Sequence, residues 1–144
     1  MAGLPGAGKD TWIKANVPAG VPVLSLDALR RDLGVAPTND QGLVVAAAKE
    51  RAKTLLRASR PFVWNATNVS KPLRASLVDL FTAYQGARVR IVYVHAPLAR
   101  VLEQNKRRGG ASAVPEPIIR ALHARLDVPD PTEAHRVEIA CSGR

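Results

Sequence analysis

Cysteine is almost missing from this chain: Cys141 is the only one in 144 residues. An intrachain disulfide is therefore excluded. Three histidines and one cysteine also form no cluster of metal-binding spacing. A reducing compartment, the cytoplasm, is the expectation. Aromatic residues make up only 4%, so the core must be built from Val, Leu, Ile and Ala among the 47% that are hydrophobic. No apolar run approaches the ~18 residues of a membrane-spanning helix. No segment repeats, and none is of low complexity. Acid is scarce as well: 12 Asp and Glu stand against 21 Lys and Arg, a formal net charge of +9. Such an excess fits a polyanionic partner, and it equally fits plain solubility.

What is present begins at once. "GLPGAGKDTW" (3–12) fits G-x-x-x-x-G-K, with Gly3, Gly6, Gly8 and Lys9 in place. Glycines let backbone N–H groups turn inward around phosphate oxygens, and the helix that follows adds its positive end. Lys9 reaches toward the β- and γ-phosphates of a nucleotide. Gly3, Gly6, Ala7, Gly8, Lys9, Asp10 and Thr11 are thus the candidate nucleotide-binding residues. The motif alone specifies binding, not a reaction.

Further along, apolar and periodic segments alternate. Residues 21–26, 61–67, 89–96 and 135–140 read as strands. Helices are expected from Thr11, over 27–33, 41–59, 71–85, 97–108 and 116–126. Within 41–59 the apolar stripe is Val45, Ala48, Ala52, Leu55 and Leu56. Within 71–85 it is Leu73, Leu77, Leu80, Phe81 and Tyr84. Strand–helix alternation predicts an α/β fold, a parallel sheet flanked by helices, in one domain covering 1–144. Continuous apolar strands such as "VRIVYV" agree, since both faces of such strands are buried. Ligands of such sheets gather at the carboxyl ends of the strands, which brings Asp27, Asn65, Thr67 and Asn68 beside the loop.

Asp27 and Arg30 lie one helical turn apart. A carboxylate facing a γ-phosphate can accept the proton of an attacking hydroxyl, and Arg30 can hold a phosphate of the acceptor. Asp27 is equally a favoured helix N-cap. Arg107 and Arg108 precede Gly109-Gly110. A mobile arginine there can stabilise charge on a transferring phosphoryl group; a basic helix end complementing the dipole explains it too. Asp10 stands where such loops carry a metal-touching Ser or Thr, while Asn65 ends a strand where an acid is usual. With Thr11, Asp10 is a candidate Mg²⁺ ligand, because hard cations accept carboxylate oxygen. A helix-start Asp favoured by the dipole is the other reading.

These residues together resemble the 5′-hydroxyl polynucleotide kinases of RNA repair, the phage-type module among AAA and zeta-toxin-like P-loop kinases. The resemblance runs from Gly3 to about Leu126. It rests on "GLPGAGKDTW", on "LDALR" as an Asp-x-x-Arg, on "NATN" (65–68) with Arg74, and on "QNKRRGGASAVPEPIIRAL" as a helical lid of about 105–126. It implies ATP or another NTP as substrate with Mg²⁺, and transfer to the 5′-OH of a single-stranded RNA or DNA end. It makes Lys9, Asp27 and Arg108 catalytic and gives Arg30, Thr67, Asn68 and Arg74 to the acceptor. Such modules are often fused to a phosphatase, a phosphohydrolase or a ligase in a larger repair protein. Two other readings stand beside it: a small-molecule kinase of zeta-toxin or metabolite type, and a non-catalytic ATP-binding module or fragment.

One expectation concerns the sheet. The loop of this fold joins a central strand to a helix, yet only Met1 and Ala2 precede Gly3, and a strand needs about five residues. The 144 residues are therefore expected to be a fragment, or Met1 an internal methionine, with a Val/Ile/Leu-rich run upstream.

Overall fold

The first helix starts where the glycines stop. In the computed structural model, which describes residues 1–35, 41–110 and 113–142, α1 spans Lys9–Asn16 directly after Gly8. The chain continues as β1 (Val23–Ser25), α2 (Leu26–Asp32), α3 (Gly42–Arg57), β2 (Val63–Asn65), α4 (Lys71–Thr82), β3 (Arg90–His95), α5 (Leu98–Arg108), α6 (Glu116–Ala124) and β4 (Arg136–Cys141). Every expected element is present, with β1 and β2 shorter than their apolar runs. Ser25 caps α2, its hydroxyl accepting from the Ala28 N–H at 3.3 Å. Ser70 caps α4 in the same way, with Pro72 in the first turn.

The sheet is parallel. β1 pairs with β2, Val23 opposite Val63 through Ser25 opposite Asn65. β3 pairs with β4, Arg90 opposite Arg136 through His95 opposite Cys141. Residues 1–3 lie between the two pairs. Ala2 donates to the Val92 carbonyl at 2.8 Å and accepts from the Val94 N–H at 2.9 Å. On the other side the Met1 nitrogen donates to the Trp64 carbonyl at 2.8 Å, and the Gly3 N–H to the Thr67 carbonyl at 2.8 Å. The order across the sheet is thus β1, β2, residues 1–3, β3, β4. Residues 1–3, which lead into the loop, take the central position.

Two apolar clusters form, one on each side of that position. Leu4, Ala7, Val92, Val94, Val101 and Ile119 gather around β3. Leu29, Val44, Ala48, Trp64, Leu77 and Phe81 gather around β2. Burying each large aliphatic side chain contributes about 1.5–3 kcal/mol. The buried face of α3 is Val44, Ala48 and Ala52, one position off the expected Val45. Leu73 of α4 is exposed rather than inward.

Arg74 takes the inward place, and this corrects its expected role. It is 3% exposed and forms a bidentate pair with the equally buried Glu133, at 2.8 and 3.3 Å. Its remaining nitrogen donates to the carbonyls of Asn68 and Val69, each at 3.0 Å. All three guanidinium nitrogens are engaged inside the protein, and the side chain is buried away from an acceptor. Removing one partner of a buried pair strands the other charge, at a cost of about 3–5 kcal/mol. Arg74→Met should therefore lower the urea midpoint of unfolding by that equivalent. Glu133→Gln, which leaves a hydrogen-bond acceptor for the arginine, should cost less. Equal midpoints for Arg74→Met and the unmodified chain would show the pair to be dispensable.

Candidate active site at the phosphate loop

The loop is shaped by steric necessity. A Cβ on Gly3 would stand 2.7 Å from the Val94 carbonyl oxygen, and its φ is +147°. Gly8 has φ +105°, in the region where side chains are strained. Leu4 and Ala7 are buried and hold the loop down, and the Ala7 N–H closes a turn onto the Leu4 carbonyl at 3.0 Å.

Lys9 folds back over this turn. Its Nζ donates to the Gly3 and Leu4 carbonyls at 2.9 and 3.0 Å. Burial lowers its pKa to about 8; the nearby Arg108 pushes it the same way, while Asp10 and Asp27 oppose the fall. Residues far apart in sequence thus converge electrostatically on one ammonium: an acid from the start of α1, an acid from α2, and the last residue of α5.

Between pH 8 and 10.5 the unfolded chain keeps a proton on Lys9 that the folded chain has lost. In that window this residue adds stability as pH rises, because the buried charge has gone. Binding of phosphate works the other way, since oxyanions need the ammonium. Nucleotide affinity should fall about tenfold per pH unit above pH 8, where an exposed lysine would hold its charge to about 10. Calorimetric titration from pH 7 to 10 measures this. Lys9→Arg should flatten the profile, and an unaltered slope would exclude Lys9 from the phosphate contacts.

Asp27 does not cap α2, because Ser25 does. Its carboxylate side chain is 74% exposed and is met by Arg30 at 2.7 Å. Arg30 also donates from Nε to Oε1 of Gln41 at 2.5 Å. The carboxylate is therefore available to a ligand above the loop, with a cation beside it.

Asn65, at the end of β2, is buried and donates from Nδ2 to Asp10 Oδ1 at 2.9 Å. Its own Oδ1 is buried and has no partner among the described residues. Asp10 and Thr11 are both exposed at the head of α1. An exposed carboxylate, a hydroxyl and an orphaned amide oxygen are all hard oxygen donors, and this set fits Mg²⁺. The orphaned Asn65 oxygen is a signal that the sequence does not carry.

At the far end of α5 the two arginines differ. Arg107 is spent on Glu103 at 2.6 Å along the helix surface. Arg108 makes no ion pair among the described residues and is the one that bears on Lys9. The segment expected to be a lid is well anchored. Asn105 binds both backbone groups of Val114, at 2.6 and 2.8 Å. Ile119 of α6 is fully buried, and the Asp127 N–H donates to the Val69 carbonyl at 2.8 Å. Of the segment 105–126, residues 111 and 112 lie outside the described residues.

The two other expected acceptor residues sit beneath the loop. Asn68 is buried with φ +45°, and its amide donates to the Met1 carbonyl at 2.6 Å. It is a clamp on the lead-in strand, which corrects its expected role. Thr67 takes the Gly3 N–H on its carbonyl, and its side chain is half-buried next to the loop.

Among the described residues no helix is long and apolar enough to cross a membrane. Comparison with known proteins adds the following. The family AAA_33, an AAA domain, matches residues 1–129. A gluconokinase from Sinorhizobium meliloti 1021 shares the fold with TM-score 0.66 and 22% identity, over 99% of this chain and 81% of that one. A protein provisionally named a kinase, from Chloroflexus aurantiacus j-10-fl, shares it with TM-score 0.74 and 14% identity, over 97% of this chain and 84% of that one. No curated protein matches the sequence.

Proposed function

This chain belongs to the AAA-domain family AAA_33, and from that premise we propose that it is a P-loop phosphotransferase acting on a small hydroxylated anion. The observation that carries the reading is the glycine loop with Lys9 folded over it, its Nζ at 2.9 and 3.0 Å from the Gly3 and Leu4 carbonyls, together with the exposed Asp27 carboxylate paired to Arg30 at 2.7 Å. The loop and Lys9 hold the phosphates of ATP or another NTP. Asp27 accepts the proton of the acceptor hydroxyl. The acceptor oxygen bonds to the γ-phosphorus as the bond to the bridging oxygen breaks, and the nucleoside diphosphate leaves. Arg108 meets the charge on the transferring group. Asp10, Thr11 and the free oxygen of Asn65 would hold Mg²⁺, which neutralises phosphate charge when bound. Arg30, fixed between Asp27 and Gln41, offers its cation to an anionic group of the acceptor. A sugar acid has both a hydroxyl and such a group, and one structural neighbour is named a gluconokinase.

A second reading, transfer to the 5′-OH of RNA or DNA, draws support from the net charge of +9 and from the Asp27-x-x-Arg30 pattern. It loses support where Asn68 and Arg74 are spent internally.

The test is a turnover assay with ATP and Mg²⁺, offering gluconate and related sugar acids in one arm and a 5′-OH oligonucleotide in the other, with phosphorylated product read by mass. Phosphorylated sugar acid with no labelled oligonucleotide is the expected result. Oligonucleotide labelling alone, with an acceptor constant that weakens with salt, would replace the first reading by the second. Nucleotide binding with no turnover in any arm would leave a binding module.

A further inference from the structure

Asparagine suits a helix interior poorly, because its side chain competes with the backbone for hydrogen bonds. Asn105 nevertheless stands near the end of α5, and it is only 6% exposed. Its whole amide is given to one residue. Nδ2 donates to the Val114 carbonyl at 2.6 Å, and Oδ1 accepts the Val114 N–H at 2.8 Å. A side-chain amide has the same donor and acceptor as a peptide unit, so the pair works as one rung of a ladder. Aspartate lacks the donor, leucine of similar size lacks both groups, and glutamine sets them one methylene farther out.

This pair ties three segments together. α5 lies against the phosphate loop. A Cβ on Gly6 would stand 3.3 Å from the Val101 carbonyl oxygen, 3.7 Å from the Gln104 Cβ and 3.8 Å from the Asn105 nitrogen. Val101 shares an apolar cluster with Leu4, Ala7 and Ile119, and Val114 packs against it. Residues three, four and seven apart lie on one face of a helix. Val101, Gln104, Asn105 and Arg108 have those spacings. Arg108 is thus on the face of α5 that meets the loop, one turn beyond the contact with Gly6. Arg107 points elsewhere, to Glu103.

The turn that carries Arg108 has little else to hold it. The helix stops at Gly109 with φ +59°, and the Gly109 N–H closes no bond back onto the helix among the described residues. Helix ends with open carbonyls fray. A frayed turn would displace the guanidinium, and a misplacement of about 1 Å can cost roughly 10²-fold in rate.

We propose that Asn105 is a positioning residue for phosphoryl transfer: its pair with Val114 keeps the last turn of α5 wound and holds Arg108 on the loop side. This rests on the reading above in which Arg108 meets the charge on the transferring group. Asn105 acts through Arg108 and touches neither nucleotide nor acceptor.

The experiment is a double-mutant cycle of Asn105→Leu, Arg108→Ala and the two together. Three quantities are read for each form. They are single-turnover loss of the γ-phosphate of ATP with Mg²⁺, to gluconate and to water in separate arms; calorimetric affinity for ADP; and the thermal midpoint. Asn105→Leu is expected to slow both arms about 10²-fold. Its ADP affinity should change by less than about threefold, since the loop is intact. In the Arg108→Ala background the same substitution should slow transfer by less than about threefold, because the group it positions has gone. A residue that only supports the fold would lower the thermal midpoint and leave the rate of the folded protein unchanged. Asn105→Asp keeps the acceptor for the Val114 N–H and loses the donor, and it takes the place of Asn105→Leu in the cycle if that form does not fold.

Unchanged transfer in Asn105→Leu would overturn the proposal. So would equal slowing with Arg108 present and absent, a parallel loss of ADP affinity, or failure of both Asn105 variants to fold. Transfer to water with none to gluconate would refute the sugar-acid acceptor alone, and the water arm would still read the clamp. Unaltered transfer in Arg108→Ala would remove the role of Arg108 and the proposal with it. Absence of turnover in both arms would overturn the reaction and the proposal together.

Discussion

Asp27→Asn is expected to leave nucleotide affinity unchanged and to lower phosphoryl transfer by a factor of about 10²–10⁴. The substitution keeps size and hydrogen bonding and removes only the ability to take a proton. Nucleotide affinity should survive because the loop, Lys9 and the clamp residues under the loop are untouched. The fold should survive because Ser25, not Asp27, caps α2. Arg30 loses a charged partner but keeps Gln41, so the acceptor constant should move by only a few-fold. The measurement is single-turnover transfer together with calorimetric nucleotide affinity. Near-normal transfer would remove Asp27 from the chemistry. Joint loss of binding and cooperative unfolding would show the carboxylate to be structural instead.

Arg108→Ala should have an effect as large or larger, about 10³–10⁵ in the rate of transfer, with ground-state nucleotide affinity altered much less. Charge grows on the transferring group as it passes between oxygens, and a cation placed there acts mainly in the transition state. Arg107→Ala is the internal control. Arg107 is tied to Glu103 on the exposed face of α5, so its loss should change transfer by less than about threefold. If the two substitutions behave alike, Arg108 has no special position. If Arg108→Ala weakens nucleotide affinity as much as it slows transfer, the arginine is a binding group and not a stabiliser of the reacting charge.

The distinction between the two arginines shows how the sequence and the folded chain divide the information. Adjacent helical residues point about 100° apart, so one of them had to face away from the loop. Which one was readable only by similarity to a lid pattern; the contact with Glu103 makes the choice physical. Asp27 is a similar case. An acid near a helix start reads as a cap, and only the position of Ser25 frees it. Arg74 went the other way. A basic residue next to a strand-end "NATN" reads as a ligand-binding cation. Its burial depends on Glu133, nearly sixty residues later, and no local pattern announces that pair. Asn68 was misread for the same reason, since its partner is the carbonyl of Met1.

Local chemistry, by contrast, was fully legible. The glycines of the loop, the start of α1 after Gly8, the stop of α5 at Gly109 and the parallel α/β alternation follow from steric permission, capping and periodicity. Each of these acts over a few residues, so the sequence by itself determined them, along with the presence of a phosphate-binding loop. The tertiary structure decided which charges meet. It set Asp10, Asp27 and Arg108 near enough to act on the charge of Lys9, turned Arg74 and Asn68 inward, and left one oxygen of Asn65 without a partner among the described residues. Electrostatic and packing energies depend on distance in space, and the chain positions that meet at Lys9 acquire their distances only when the sheet has formed.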